Sequence, residues 1–332
     1  MGWMRFLLAA LVVAHHCEIF RVKNTIGGLA AVEAFFFISG FYMAAAYPKY
    51  RGRFPAWSFW VSRYLRLYPL YLFVLVFTWM FWLTGASTNI TELMNAFQAN
   101  EAPWLANISL LGQDIISISE TSHLMLPVRQ SWSISAELVF YACVPFLLKL
   151  RIRTLLLICL ISLALKVLFI STGQWRSAYF PFYSQLGYFV GGIILFRCRE
   201  PLSWPQQFAF PLVLLASIYL CISDLSSLER DGFLRNAGMI LAIAIAMPTA
   251  FEHSNGPISN FLGDLSYGVY LAHFLMIEVL VSAGLVQLGG SQWAILRTFA
   301  MVLLSSLIFS AVFELMIQNR IDRWRRSRLY VT

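Results

Sequence analysis

The 332 residues are 59% apolar and only 12% charged, with 16% aromatic side chains and a mean hydropathy of +0.70. Soluble domains carry about 45–50% apolar and ~25% charged residues, so this chain has too little polar surface to coat a water-soluble body. The fold class expected is all-α, a polytopic membrane protein. The net charge of +8 invites a nucleic-acid partner, but its distribution, worked out below, argues against one. Cys17, Cys143, Cys159, Cys198 and Cys221 stand singly without ligand spacing, so neither a disulfide framework nor a metal site is expected.

Each bilayer crossing needs ~20 mostly apolar residues. Apolar stretches separated by charged or turn-rich breaks predict about ten spans, at 4–20, 29–47, 68–83, 132–148, 154–170, 182–196, 208–222, 234–251, 265–285 and 294–317. The first is read as a retained helix rather than a signal peptide, because His15, His16, Cys17 and Glu18 follow its apolar run where a small-x-small cleavage site would stand. The longest connection, 84–131, is polar and acidic (Glu92, Glu101, Asp114, Glu120). Neither a repeat nor a separate soluble domain is visible. Lys and Arg mark the cytoplasmic side of membrane proteins. Ten spans with both termini inside place sixteen of the 24 basic residues on that side and seven outside, with Lys166 within a span. An odd number of spans would split these clusters. The positive charge thus reads as membrane topology, with lipid and not nucleic acid as the neighbour.

The first helix carries the sharpest feature. Arg5 and His16 are eleven residues apart, which returns to within ~20° of one helical face about 16 Å further along the axis. A neutral imidazole has an unperturbed pKa of ~6.5, suited to taking a proton from a hydroxyl. The plain alternative is that His16 hydrogen-bonds at the interface. His15 points ~100° away and is the weaker candidate. In the second span Glu33 needs a partner inside an apolar run. His16 is a plausible one, oriented by the carboxylate as in catalytic triads; Glu18 competes for that role. Ser39 and Gly40 suit close helix approach.

Arg63 and Arg66 lie one turn apart before Tyr68, Pro69 and Tyr71. Two guanidiniums on one stripe suit a phosphate-rich ligand, or they simply mark topology. Glu137 and Tyr141 are also one turn apart, at a depth similar to His16. A shared cavity and a purely structural helix–helix bond both fit. Tyr267, Tyr270 and His273 stripe one face of the ninth span and are expected to face the bundle interior. Lys166, Glu278 and Glu314 are isolated ionisable groups that would snorkel or pair.

Five segments in order resemble the bacterial acyltransferase 3 family: Arg5 through His16; Glu33 through Gly40; Arg63-Tyr64-Leu65-Arg66 with Pro69; Trp132 through Glu137 with Tyr141; and Ser266 through His273. The resemblance implies a ten-helix bundle in a bacterial inner membrane. Such a bundle takes an acetyl-type group from cytoplasmic acetyl-CoA or another acyl-CoA to a carbohydrate or glycolipid hydroxyl. It implies essential roles for Arg5 and His16, coenzyme A phosphates on Arg63 and Arg66, and the motif's acidic residue at Glu137. The mechanism expected uses His16 as general base or transient acyl carrier, with Glu33 or Glu137 orienting it and Arg5 joining the arginine pair. His15, Tyr141, Tyr267 and His273 are further cavity candidates. Three features depart from the pattern. No Asp-Gly-Leu precedes Arg5, Glu33 replaces a common Asp, and the chain stops at Thr332, so transfer is expected to finish within the membrane domain. A flippase for a lipid-linked glycan would also explain intramembrane charge, but such transporters often carry internal repeats. A non-catalytic subunit of a polysaccharide assembly would tolerate substitution at His16.

Overall fold

The computed structural model describes residues 2–18, 27–50, 54–86, 102–198, 240, 241, 243–248, 250, 251 and 256–329. Among them the secondary structure is helical throughout, with no strand. The principal elements are α1 (Gly2–His16), α2 (Gly27–Ala46), α3 (Pro55–Phe81), α4 (Ala102–Ser109), α5 (Gln113–Ile116), α6 (Ser122–Met125), α7 (Trp132–Leu147), α8 (Ile152–Ser171), α9 (Trp175–Tyr179), α10 (Phe182–Arg197), α11 (Pro257–Ser282), α12 (Gln292–Phe313) and α13 (Asn319–Leu329). Among the described residues, five helical stretches are long and apolar enough to cross a membrane: 28–49, 55–85, 152–171, 257–282 and 292–329. Residues 240, 241, 243–248, 250 and 251 are helical, within the expected eighth span. The expected seventh span, 208–222, lies outside the described residues.

Local sequence sets several of these ends. Pro55 and Pro257 occupy first-turn positions of α3 and α11, where a missing N–H costs nothing and the fixed φ favours a helix. Ser291 caps α12 by accepting from the Ala294 N–H at 3.2 Å. Two helices begin earlier than the apolar runs suggest. Helix α3 starts at Pro55, not residue 68, because the charges of Arg63 and Arg66 find partners inside the bundle. Helix α11 starts at Pro257, not 265, and a π turn over Glu314–Gln318 joins α12 to α13.

Helix α8 turns Leu156, Leu157, Leu160, Ile161, Val167 and Leu168 outward, the surface expected of a lipid-facing helix. The core instead gathers α1, α2, α7, α10 and α11 around Phe36, Phe41, Phe140, Phe189 and Leu271. Helices α2 and α10 touch backbone to backbone. A Cβ on Gly40 would stand 1.9 Å from the Phe189 carbonyl oxygen, and one on Gly192 would stand 2.0 Å from that of Phe37. Gly40 therefore serves close helix approach, as small residues do in membrane interfaces.

The bundle gathers its basic termini at one end. The N–H of Gly2 donates to Ser259 Oγ at 3.0 Å, Arg66 reaches Asp264 and Asp322, Arg325 donates to the Ser62 carbonyl, and Arg197 donates to the Leu150 carbonyl. The opposite end is closed by the segment between α3 and α7, which the sequence presents only as a polar connection. Gln113 donates to the Tyr71 hydroxyl at 2.9 Å and the Ala106 carbonyl at 3.0 Å, and receives a bond from Ser131. Asp114 accepts from Ser135 and from the Phe182 N–H, each at 3.0 Å. Burial pushes the Asp114 carboxyl above its usual range, and those two bonds pull partly against that. Arg176 donates to the carbonyls of Ser117, Ile118 and Ser119. Buried polar groups with these partners make a folded cap of what reads as a loop.

Candidate active site

Among the described residues, α1 lines two neighbouring cavities inside the bundle. At the basic end a cavity of about 180 Å³ is lined by Arg5, Arg63, Arg66, Ser39, Glu137, Tyr141 and Tyr267, among others. Further along α1, a cavity of about 290 Å³ is lined by His15, His16, Arg129, Trp132, Trp175, Tyr179, Phe180 and residues of the cap. Val32 and Tyr270 line both, so the two volumes abut across those side chains. The eleven-residue spacing of Arg5 and His16 thus places a cation in one chamber and an imidazole in the next.

His16 bonds another imidazole, not a carboxylate. Its Nδ1 lies 3.1 Å from His273 Nε2, and His273 Nδ1 lies 2.6 Å from the Tyr270 carbonyl oxygen. The His16 ring stacks on His273 with centroids 5.0 Å apart and tilts against Phe274 at 4.5 Å. His15 lines the same cavity, its ring 5.1 Å from that of His16.

The two carboxylates expected to orient His16 are engaged elsewhere. Glu33 is 1% exposed and forms a buried ion pair with Lys166, itself 4% exposed. The Lys166 ammonium also sits 5.0 Å from the Tyr188 ring centroid. Lys166 comes from α8, so the pair stitches a lipid-facing helix to α2, and the expectation that Glu33 would turn to His16 is corrected. Glu137 faces the basic-end cavity, where it accepts from Ser39 Oγ at 2.5 Å and from the Tyr141 hydroxyl. Glu137 does not share the histidine chamber because it lies more than one turn along α7 beyond Trp132, which lines that chamber, and so falls on the basic-end cavity with Arg5 of α1 and Tyr267 of α11. Glu18 is exposed, beyond the end of α1, with a φ of 57°.

The arginine pair also divides. Arg63 donates to the Tyr50 hydroxyl at 3.0 Å and lies over the Phe59 ring at 5.9 Å, on the cavity wall. Arg66 is held by carboxylates: Asp264 at 2.7 Å, Asp322 at 3.4 Å and Glu314 at 3.8 Å. Arg325 joins through Asp322 at 3.2 Å. Three acids facing two guanidiniums leave that corner without surplus positive charge for a phosphate. Arg5 makes no ion pair or hydrogen bond among the described residues and lines the cavity half-buried. The other isolated ionisable groups have partners too: Glu278 accepts from Trp82 Nε1 at 2.7 Å, and Glu314 faces Arg66.

The stripe on α11 faces inward as expected. Tyr267 lines the basic-end cavity and donates to the Leu67 carbonyl at 2.8 Å, Tyr270 lines both cavities, and His273 lies behind His16. The contribution of the cap to the histidine cavity had no signal in hydropathy. Its clues were the side-chain amide and carboxylate of Gln113 and Asp114, adjacent groups that need partners once buried.

Comparison with known proteins agrees with this architecture. A presumed O-acetyltransferase of Staphylococcus aureus (strain COL) is 23% identical over 283 residues, covering 76% of this chain and 46% of that protein. A Rhizobium radiobacter protein named as protein 2 in the picA locus is 30% identical over 142 residues, 41% of this chain and 74% of its own. The chain thus spans about half the length of the Staphylococcus relatives it matches. No solved structure matches it. A family model described as an acyltransferase domain matches residues 1–315, and the chain belongs to that acyltransferase 3 family.

Proposed function

We propose that the protein is a membrane O-acyltransferase that moves an acetyl or similar acyl group from acyl-CoA to a hydroxyl of a carbohydrate or glycolipid. The observation that carries this is the pair of abutting chambers on α1, one presenting Arg5 and Arg63 and the next presenting His16. The clustering of basic termini at the Arg5 end supports placing that end in the cytoplasm, with the histidine chamber toward the outer side of a bacterial inner membrane.

On this reading the donor enters at the basic end. The cavity there is smaller than the ~300–1,000 Å³ typical of whole-ligand sites, so the nucleotide stays at the mouth and only the pantetheine arm enters. Arg5 and Arg63 hold phosphate oxygens, each bond charge-assisted. The arm extends past Val32 and Tyr270 and presents the thioester to His16. An acceptor hydroxyl in the second chamber gives its proton to His16 as its oxygen attacks the thioester carbonyl. The carbon–oxygen bond forms, the tetrahedral intermediate collapses with loss of the carbon–sulfur bond, and the imidazolium returns the proton to the leaving thiolate. Trp132, Trp175, Tyr179 and Phe180 provide flat apolar faces for a sugar, and Arg129 a polar contact.

Membrane vesicles carrying the protein, supplied with radiolabelled acetyl-CoA, test this directly. Label in base-labile ester is expected, with free coenzyme A released in equal amount. A flippase would move glycan and leave the label in the donor.

A further inference from the structure

His273 is fully buried and is not among the residues lining either cavity, yet it holds one nitrogen of the ring proposed to be the base. Its hydrogen bonds decide where that ring carries its proton. A backbone carbonyl can only accept, so the 2.6 Å contact to the Tyr270 oxygen requires the proton on His273 Nδ1. Burying an unpaired cation is costly, and no carboxylate contacts His273 among the described residues, so the ring is written neutral with its lone pair on Nε2. That atom lies 3.1 Å from His16 Nδ1, and the proton between the rings therefore belongs to His16 Nδ1. The remaining nitrogen of His16, Nε2, is left as the basic atom of a ring that lines the histidine cavity.

We infer that His273 is a positioning residue that fixes His16 in the Nδ1–H tautomer and so presents Nε2 to the acceptor hydroxyl. In a catalytic triad a carboxylate performs this task by accepting from the far side of the base. Here Glu33 and Glu137 are committed to Lys166 and to Ser39 with Tyr141, and the neighbouring helix α11 supplies an imidazole anchored to its own backbone three residues earlier. The other groups facing His16 are His15 and the Val12 carbonyl, both on its own helix, and Arg129 across the cavity; the carbonyl, which can only accept, also favours a protonated ring nitrogen. The Nδ1–H bond to His273 persists when Nε2 takes the hydroxyl proton, so the ring keeps one orientation through both proton transfers. The inference rests on His16 being the base, and its test separates the two claims.

The test uses membrane vesicles carrying the full chain at matched, gel-filtration-verified levels, with radiolabelled acetyl-CoA as donor and label in base-labile ester as readout. His273→Leu removes the acceptor and is expected to lower the maximal rate by about 10–100-fold, the scale seen when a metal-binding histidine loses the group that orients it. The KM for acetyl-CoA is expected to stay within about twofold. His273→Gln places a carbonyl oxygen near the position of Nε2 and is expected to recover most of the loss. His273→Asn, one carbon too short to reach His16, is expected to track the Leu variant and serves where Leu impairs folding. Equal rates in the Gln and Asn variants, whether both impaired or both normal, would overturn the positioning role. A His16→Ala protein with normal transfer would instead overturn the reading beneath it.

Discussion

The buried Glu33–Lys166 pair gives a prediction that separates a structural carboxylate from a catalytic one. Lys166→Met leaves the Glu33 carboxylate alone in a core where it is 1% exposed. Breaking one side of a buried ion pair costs about 3–5 kcal/mol, whereas replacing both sides by groups of matched shape is often close to neutral. At roughly 2–4 °C per kcal/mol, the thermal midpoint of Lys166→Met in detergent should fall by about 6–20 °C. Glu33→Gln should cost less, because the lysine lies within two turns of the end of α8 and its stem lets the ammonium snorkel toward the interface. The double variant Glu33→Gln/Lys166→Met should return close to the parent midpoint. Acyl transfer per folded molecule should be unchanged in all three. A Glu33→Gln protein with an unaltered midpoint and no transfer would refute the assignment and return Glu33 to the catalytic machinery.

Replacing Arg5 or Arg63 with Ala should weaken donor binding about 10–100-fold, the effect of losing a charge-assisted bond of ~1.5–3 kcal/mol, measured by titrating labelled acyl-CoA. Arg66→Ala should instead lower the thermal midpoint while leaving donor affinity near normal, because it takes the cation from Asp264 and Glu314 and leaves Asp322 with Arg325 alone. Gly40→Val should abolish recovery of folded protein by gel filtration, since its Cβ would stand 1.9 Å from the Phe189 carbonyl oxygen. Asp114 gives a pH signature. Its folded pKa is raised above 3.8 by burial, so the native state binds more protons than the unfolded chain between 3.8 and that raised value, and its contribution to stability falls as pH rises through the window. The midpoint of Asp114→Asn relative to the parent should therefore improve from pH 4 to neutrality, and a difference that stays flat would contradict the sign.

What was legible in the sequence follows from which forces act locally. Hydropathy marks spans because each must bury its own backbone bonds in lipid, and the ends of α7, α8 and α10 fall within a residue or two of the apolar runs. Where polar groups find partners across the bundle, hydropathy misplaces the boundary, as at Arg63 and Arg66 in α3. The Arg5–His16 spacing could be read because one helix fixes both residues. Partner choice could not. Whether Glu33 meets His16 or Lys166 depends on where α8 and α11 stand around α1 and α2, and the bonds that settle it, Glu33 to Lys166 and His16 to His273, join residues more than a hundred positions apart. The cap around Gln113 and Asp114 was hidden for the same reason, since its polar composition matches a solvated loop until Tyr71, Ser135 and Phe182 are brought to it.

The most direct test of the account is the ester content of surface carbohydrate in cells that differ only at His16. With His16→Ala expressed, inserted and eluting as the parent does, base-labile acyl groups measured by mass spectrometry should fall to the level of cells lacking the protein. Parental ester content in those cells would contradict the account at its centre.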